Sequence, residues 1–425
     1  MRQHTKKRRN LLQNIAIVLL TVSAVALFVQ MQIYNLHSET GYLSGLLSSG
    51  SAQKTQSISG LSDLAMPVRI AVTGAYGRWA SPFLTTESEE FLQPGNLLME
   101  ALGSAGSLKK CSAEDFQSAL RSTTNYDGSI YYDFDSALPL SLLAGLVNAD
   151  WTGGDLSARR LLLQAEEDKV RLFIWDGGDV FSICSTALTA KSLKETVTEY
   201  PLGSAWFAFD QPEKYSHVDP FSLFSEQLTT PSSLSVSSAI TDASGLMSGL
   251  AFNPHTNSRY TEPSGAEVVL EGDRTLRIRP DGEISYQGGS GTLQIDCVGE
   301  TPTEAEAVVG AYRLLGDLLP SQNDASLYLQ ELQSSETSTT LRFGYQYNGL
   351  PIRFADRASA AEITLEGPVI ARLTLRMRQY TTGERAHLLL PLAQALSIAR
   401  RYPGKELAIY YVDSGGSASA QWLAE

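Results

Sequence analysis

The feature that most constrains this chain is an uncharged stretch near its start. From Leu11 to Ile33 there is no charged residue, and Ile15–Val29 (IAIVLLTVSAVALFV) is almost wholly apolar. About 20 helical residues cover the ~30 Å hydrocarbon layer of a bilayer, so residues 11–33 are expected to form a single transmembrane helix. Arg2, Lys6, Lys7, Arg8 and Arg9 precede it, and no acidic residue occurs before Glu39. Cations beside a span stay cytoplasmic. Residues 1–10 are therefore expected to be a cytoplasmic basic tail, and the C-terminal body to lie outside the cell membrane. Tyr34 falls at the outer interface, where an amphipathic ring is comfortable. The rival reading is a cleaved signal peptide, since Ala24-Val25-Ala26 has the small-x-small form. Leu27, Phe28 and Val29 carry the apolar run past that point, where a cleavage region turns polar, so an uncleaved anchor is expected. No cysteine follows the run, which argues against a lipoprotein.

Asn14, Ile17, Thr21 and Ala24 share one side of this helix and gather an amide, a hydroxyl and a small residue. Such groups pair helices in lipid at ~1 kcal/mol per hydrogen bond, so these four are the candidate contact with a partner helix. The plainer alternative has Asn14 reaching the interface and Thr21 bonding its own i−4 carbonyl.

The remainder is an acidic body. The 425 residues carry a formal charge of −13, and removing the five N-terminal cations leaves 28 Lys and Arg against 46 Asp and Glu, or −18. That balance argues against nucleic-acid binding, which needs a basic face for phosphates. With 43% hydrophobic residues the chain can bury real cores, and with one long apolar run it is no polytopic transporter. At about 150 residues per domain the length allows two or three domains. Cys111, Cys184 and Cys297 are far apart with no CxxC pair, so they form neither a disulfide framework nor a zinc site and read as structural.

The expected fold class is α+β. Residues 34–65 read as a Gly/Ser-rich tether and residues 66–210 as a mixed α+β domain. Within the domain, strands are expected from Met66 and at Ser129–Phe134, Arg159–Gln164, Val170–Trp175, Val180–Cys184 and Trp206–Phe209. Helices are expected at Ala113–Arg121, Leu138–Val147 and Ala190–Thr198. Asp176-Gly177-Gly178-Asp179 reads as a hairpin turn. Residues 211–320 read as a linker, which is Pro/Ser/Thr-rich over Pro201–Pro263 and holds a short helix near Pro220–Gln227, followed by a first sheet-plus-helix module. Its strands are Glu267–Leu270, Thr275–Ile278, Ile284–Tyr286 and Thr292–Ile295, and its helix Thr303–Leu318 opens on a Thr303/Glu306 capping box. Residues 321–425 repeat the theme in a second module. Its strands are Ser326–Glu331, Thr340–Tyr347, Ile352–Phe354, Ala361–Leu365 and Val369–Arg378, then a helix near Leu388–Arg400 and a last strand at Glu406–Val412.

Catalytic chemistry is hard to find. His4, His37, His217, His255 and His387 form no HExxH or HxH, which argues against a zinc hydrolase, and His217 reads as turn chemistry. No GxSxG elbow or Walker loop occurs. SxxK at Ser51/Lys54 and Ser107/Lys110 and SxN at Ser321-Gln322-Asn323 lack the Lys-Thr-Gly of a wall-active enzyme. Asp127, Asp133 and Asp135 could supply a glycosidase pair, but the alternation of Asp133 and Asp135 with Tyr132 and Phe134 reads as the solvated face of a strand. Tyr345 with Tyr347, and Tyr410 with Tyr411, read as strand packing rather than a ligand platform. No catalytic, cofactor-binding or metal-ligating residue is assigned, and no cofactor is expected.

Three stretches carry a resemblance: Arg259-Tyr260; Asp273–Ile278 followed by Pro280-Asp281-Gly282-Glu283-Ile284-Ser285-Tyr286; and Tyr347-Asn348-Gly349-Leu350-Pro351-Ile352 with Tyr410-Tyr411. With the basic tail, one anchor and sheet-plus-helix modules, the chain resembles the YycH/YycI family of Gram-positive bacteria. About 100 residues match in detail, in turn-and-strand motifs, and the Ser/Thr-rich stretch from Pro231 to Asn257 departs from the pattern. The resemblance implies a non-enzymatic role beside an essential membrane sensor histidine kinase of the WalK (YycG) type that controls cell-wall metabolism, exerted through membrane and extracytoplasmic contacts. A sister YycI-like protein is a further implied partner. The alternatives are an extracytoplasmic cell-wall hydrolase or carbohydrate-binding protein, and a general envelope assembly scaffold.

Overall fold

The computed structural model of the chain describes residues 63–81, 89–121, 128–146 and 151–425, less positions 152, 153, 155, 227, 229, 230, 239, 241, 257, 289–292, 298, 300 and 387. Residues 1–62 lie outside the described residues, and with them the expected transmembrane helix, the tether up to Ser62 and the contact face of Asn14, Ile17, Thr21 and Ala24. Among the described residues no helix is long and apolar enough to cross a membrane.

The architecture is α+β. The first sheet has seven antiparallel strands, β1 (Arg69–Gly74), β2 (Gly77–Ser81), β3 (Lys109–Lys110), β4 (Ser129–Pro139), β5 (Ser157–Glu166), β6 (Lys169–Trp175) and β7 (Phe181–Thr189), in the order β2-β1-β4-β5-β6-β7-β3. Its central strands are apolar in both phases because both faces are covered. Ile130, Tyr132, Leu161, Leu163, Leu172 and Ile174 pack on helices α1 (Glu89–Gly103), α3 (Leu140–Leu146) and α4 (Ala190–Thr198). Tyr131, Leu162, Phe173 and Trp175, one residue out of step, face α2 (Ala113–Arg121) and the aromatics Phe207, Phe209 and Phe221. Side chains of successive strand residues point to opposite faces.

The described residues after this sheet, where a linker is expected, carry regular elements. They hold β8 (Ala205–Phe207) paired with β9 (Leu223–Ser225), the short helix α5 (Pro212–Tyr215), β10 (Ser232–Ser237) and helix α6 (Ala243–Gly249). The helix expected near Pro220–Gln227 is instead a turn leading into β9, because Phe221 and Phe224 are drawn into two aromatic clusters.

The remaining strands are β11 (Arg259–Thr261), β12 (Glu267–Glu271), β13 (Arg274–Ile278), β14 (Glu283–Gln287), β15 (Ser326–Ser334), β16 (Thr339–Tyr347), β17 (Leu350–Phe354), β18 (Ala361–Glu366), β19 (Val369–Arg376), β20 (Gln379–Ala386), β21 (Leu407–Asp413) and β22 (Ser417–Ala424). With β10 they form one thirteen-stranded sheet, ordered β11-β12-β13-β14-β19-β18-β16-β17-β21-β22-β10-β20, with β15 on the free side of β16. Strands of both sheet-plus-helix stretches thus share a single sheet, joined where Ile284 of β14 faces Leu375 of β19. Helix α7 (Glu304–Leu318) starts on the Thr303/Glu306 capping box and buries Ala307, Val308, Ala311, Leu315 and Leu318 along one stripe. Helix α8 (Leu392–Ala399) makes the crossover that the parallel pair β17–β21 requires.

The helix expected from Leu138 begins at Leu140, because Leu138 and Pro139 are the end of β4. Leu293–Ile295 forms an isolated bridge at Gln294 and not a strand, β19 stops at Arg376 with β20 following, and the 407–413 strand is followed by β22.

Candidate functional site

Two places bring charged and apolar groups together in ways a site could use. The first is a buried seam between the sheets. In the register of the first sheet Arg69 lies opposite Asp133, Asp133 opposite Arg160, and Arg160 opposite Trp175. Adjacent strands thereby set two guanidiniums on either side of one carboxylate, on the face that carries Tyr131, Leu162 and Trp175. Glu406, just before β21, enters this row with oxygens 2.8 Å from Arg69 Nη2 and 2.8 Å from Arg160 Nη2, and Arg159 also donates to it. Arg160 is 0% exposed, with its guanidinium 4.4 Å over the Trp175 ring. Burial alone would raise the Glu406 carboxyl, but Arg69, Arg160 and Arg159 overcome it and hold the group well below the usual carboxylate range.

Two residues further along β4, Asp135 accepts from Arg353 Nη2 at 2.6 Å and from the Tyr328 hydroxyl at 2.7 Å. Arg353 also reaches Glu425 at 3.0 Å and lies 4.4 Å over the Tyr410 ring. Burial again works against ionisation of Asp135, and Arg353 again wins, leaving the carboxyl depressed. Burial pushes the Tyr410 hydroxyl up to about 12. Asp133 and Asp135 are therefore not solvated strand carboxylates. They are enclosed ion-pair partners, with oxygens committed to guanidiniums and facing no cleft, so they cannot serve as an acid/base pair.

The other residues singled out from sequence fall into packing roles. His217 sits in a turn and donates from Nε2 to the Leu396 carbonyl at 2.9 Å. The Asn323 side chain donates to the Arg378 carbonyl and accepts from Ala325 and Tyr380 N–H groups, a loop brace. Tyr345, Tyr410 and Tyr411 are buried, and Tyr345 meets Tyr380 edge-on. Cys184 is buried and its thiol is pushed up to about 11 by desolvation, while Cys111 and Cys297 are half-buried. Ser107, Lys110 and His255 join no cluster of reactive groups, Ser51, Lys54, Asp127, His4, His37 and His387 lie outside the described residues, and no metal-binding group of acids, His or Cys occurs among the described residues.

The second place is a groove of about 330 Å³ between α8 and the strands β17, β21 and β22, at the lower end of the ~300–1,000 Å³ typical of ligand clefts. Ala395, Ala399 and Leu407 form its floor, and Phe354, Ile398, Tyr402 and Trp422 its walls, with Arg357 at the mouth. Trp422 Nε1 donates to the Leu390 carbonyl at 3.0 Å, which fixes one rim. Sequence reasoning missed this groove, because its lining comes from four separate stretches that only the tertiary fold brings together.

What fold and sites define is an α+β protein of two large sheets with a locked polar seam and an apolar groove. No protein-family model matches this chain, and no curated protein matches it in sequence. Among solved structures it is similar to YycH from Bacillus subtilis, at 11% identity and a TM-score of 0.49, over 85% of this chain and 93% of that one.

Proposed function

We propose that this protein is a non-enzymatic, single-pass membrane protein that adjusts a two-component sensor histidine kinase of the WalK type. Its body would be extracytoplasmic, and cell-wall metabolism would be the output under control. The observation that carries the reading is the pairing, in one chain, of an uncharged 11–33 run behind five cations with the strand–turn–strand run of residues 273–286. That run folds as β13, a turn at Asp281-Gly282 and β14, with Tyr286 buried edge-on against Phe252. Two further observations support it. Asp133 and Asp135, two of the three carboxylates that could supply a glycosidase pair, are enclosed in the seam, and Leu390, Ile398 and Tyr402 are exposed along one apolar groove.

A first test is to delete the gene in the native host and measure the phosphorylated fraction of the cognate response regulator on a phosphate-affinity gel. A changed fraction supports the proposal, and an unchanged one sinks it. A photo-crosslinking residue at Thr21 would then show whether the Asn14/Ile17/Thr21/Ala24 face touches a kinase helix or lipid alone. An affinity of the full chain for isolated cell walls, with hydrolysis of them, would favour the enzyme reading instead.

A further inference from the structure

Exposed large apolar side chains are unevenly spread. Of the nine among the described residues, Leu388 (83% exposed), Leu390 (47%), Ile398 (49%) and Tyr402 (52%) fall within one short stretch, and the last three line the α8 groove. Contiguous exposed apolar surface beside a concavity marks a contact site, and Tyr, Trp and Arg, the residues that dominate interface energetics, are present as Tyr402, Trp422 and Arg357.

The charges say what kind of partner fits. The carboxylates beside the groove are already committed, Asp356 to Arg376 at 2.7 Å and Glu425 to Arg353 at 3.0 Å. Arg357 is exposed and has no carboxylate of the described residues within ion-pairing distance, and the same holds for Arg400 and Arg401 at the end of α8. The mouth of the groove thus carries the unpaired cation Arg357, with Arg400 and Arg401 next in sequence to the lining residues Ala399 and Tyr402, on a chain that is otherwise strongly acidic. Arg357 also has a φ of 58°, in the left-handed region that glycine or asparagine occupies at far lower cost. Backbone held there places its guanidinium at the mouth of the groove, and such strain clusters at ligand contacts.

We infer that the groove receives an acidic amphipathic segment of a partner protein. Its apolar side chains would seat against Leu390, Ile398, Tyr402 and Trp422, above the buried Ala395, Ala399 and Leu407, and its carboxylates would pair with Arg357 at the mouth. A flat lipid surface fits less well, because the floor residues are buried below the rim. The inference is independent of the kinase proposal, since it names the partner's chemistry and not its identity.

The test uses the full chain in nanodiscs of zwitterionic lipid. The probe is a short fluorescein-labelled peptide with leucine on one helical face and glutamate on the other, read by polarisation against empty nanodiscs. The control peptide carries lysine for glutamate. The glutamate peptide is expected to bind at least on the order of tenfold more tightly than the lysine peptide, a gap set by the rim charges. The preference should be lost in Arg357→Glu and binding weakened in Ile398→Asp. Arg357→Asn suits the turn's backbone better than arginine, so its folding is safe, and it should also lose the preference. Equal binding of the two peptides, or a preference unmoved by Arg357→Asn, overturns the inference. Co-flotation with phosphatidylglycerol vesicles that Ile398→Asp abolishes, without peptide binding, assigns the patch to lipid and overturns it as well.

Discussion

Arg160 concentrates the residue-scale physics of this protein. A fully enclosed guanidinium is costly to desolvate, and it is tolerated because Trp175 covers one face while Glu406 and Asp133 meet its edge. Replacing such a cluster with apolar groups can be neutral, whereas removing one partner leaves an uncompensated buried charge, at about 3–5 kcal/mol. Glu406→Gln is therefore expected to lower the unfolding free energy by about that amount, measured by urea titration at neutral pH. The pH dependence follows from the same groups. The carboxyls of Glu406 and Asp135 are depressed in the folded chain, so the unfolded chain takes up protons first as pH falls. Their stabilisation is complete above the unfolded values of about 4 and is lost as pH drops through the lower folded values. Urea midpoints should fall below about pH 4, and less steeply in Glu406→Gln. A profile identical in variant and parent would contradict this account.

At the scale of elements, α1 shows how tertiary contacts rescue a weak local signal. Its sequence contains Pro94 and Gly95, which argue against a helix interior, so the sequence alone predicts no helix there. Pro94 has no N–H to give the Glu90 carbonyl one turn back, and the Tyr200 hydroxyl donates to that carbonyl instead. Tyr200→Phe should destabilise the protein by about 1 kcal/mol and raise amide exchange across the first turns of α1, with α2 unaffected. By contrast, α2 at Ala113–Arg121 and α4 at Ala190–Thr198 fall where the sequence places them. The first carries its acids in the first turn and arginine in the last, and the second has Thr189 as its N-cap. β10 and β22 were missed for the opposite reason. SSLSVS and SASAQWLA are mostly small and polar, yet Leu234 and Ala418 are wholly buried because the two strands pair with each other inside the sheet.

For the whole molecule, the seam joins the sheets in two rows, Glu406 to Arg69 and Arg160, and Arg353 to Asp135, while β4 also lies along β15 through Ser136 and Gln330. One hydrophobic cluster runs from Ile70 and Leu161 through Leu315 to Leu373. Such coupling predicts a single cooperative transition for the described body. Differential scanning calorimetry should show one endotherm for the parent and two for Glu406→Gln combined with Arg353→Met, in which both rows are broken. Two endotherms in the parent would mean that the seam does not couple the sheets.

By itself the sequence determined the elements whose signal closes within a few residues. These are the two-phase apolar strands β4 to β6, the hairpin at Asp176–Asp179, and the Thr303/Glu306 box that starts α7. Caps, turns and periodicity are satisfied by near neighbours, so they are legible locally. Only the tertiary structure decided that β14 pairs with β19, that β10 slots between β22 and β20, and that Asp133 and Asp135 are buried. A strand's neighbour and a carboxylate's solvation depend on groups far along the chain, as Asp135 depends on Arg353. No window of sequence around Asp135 contains the guanidinium that neutralises it.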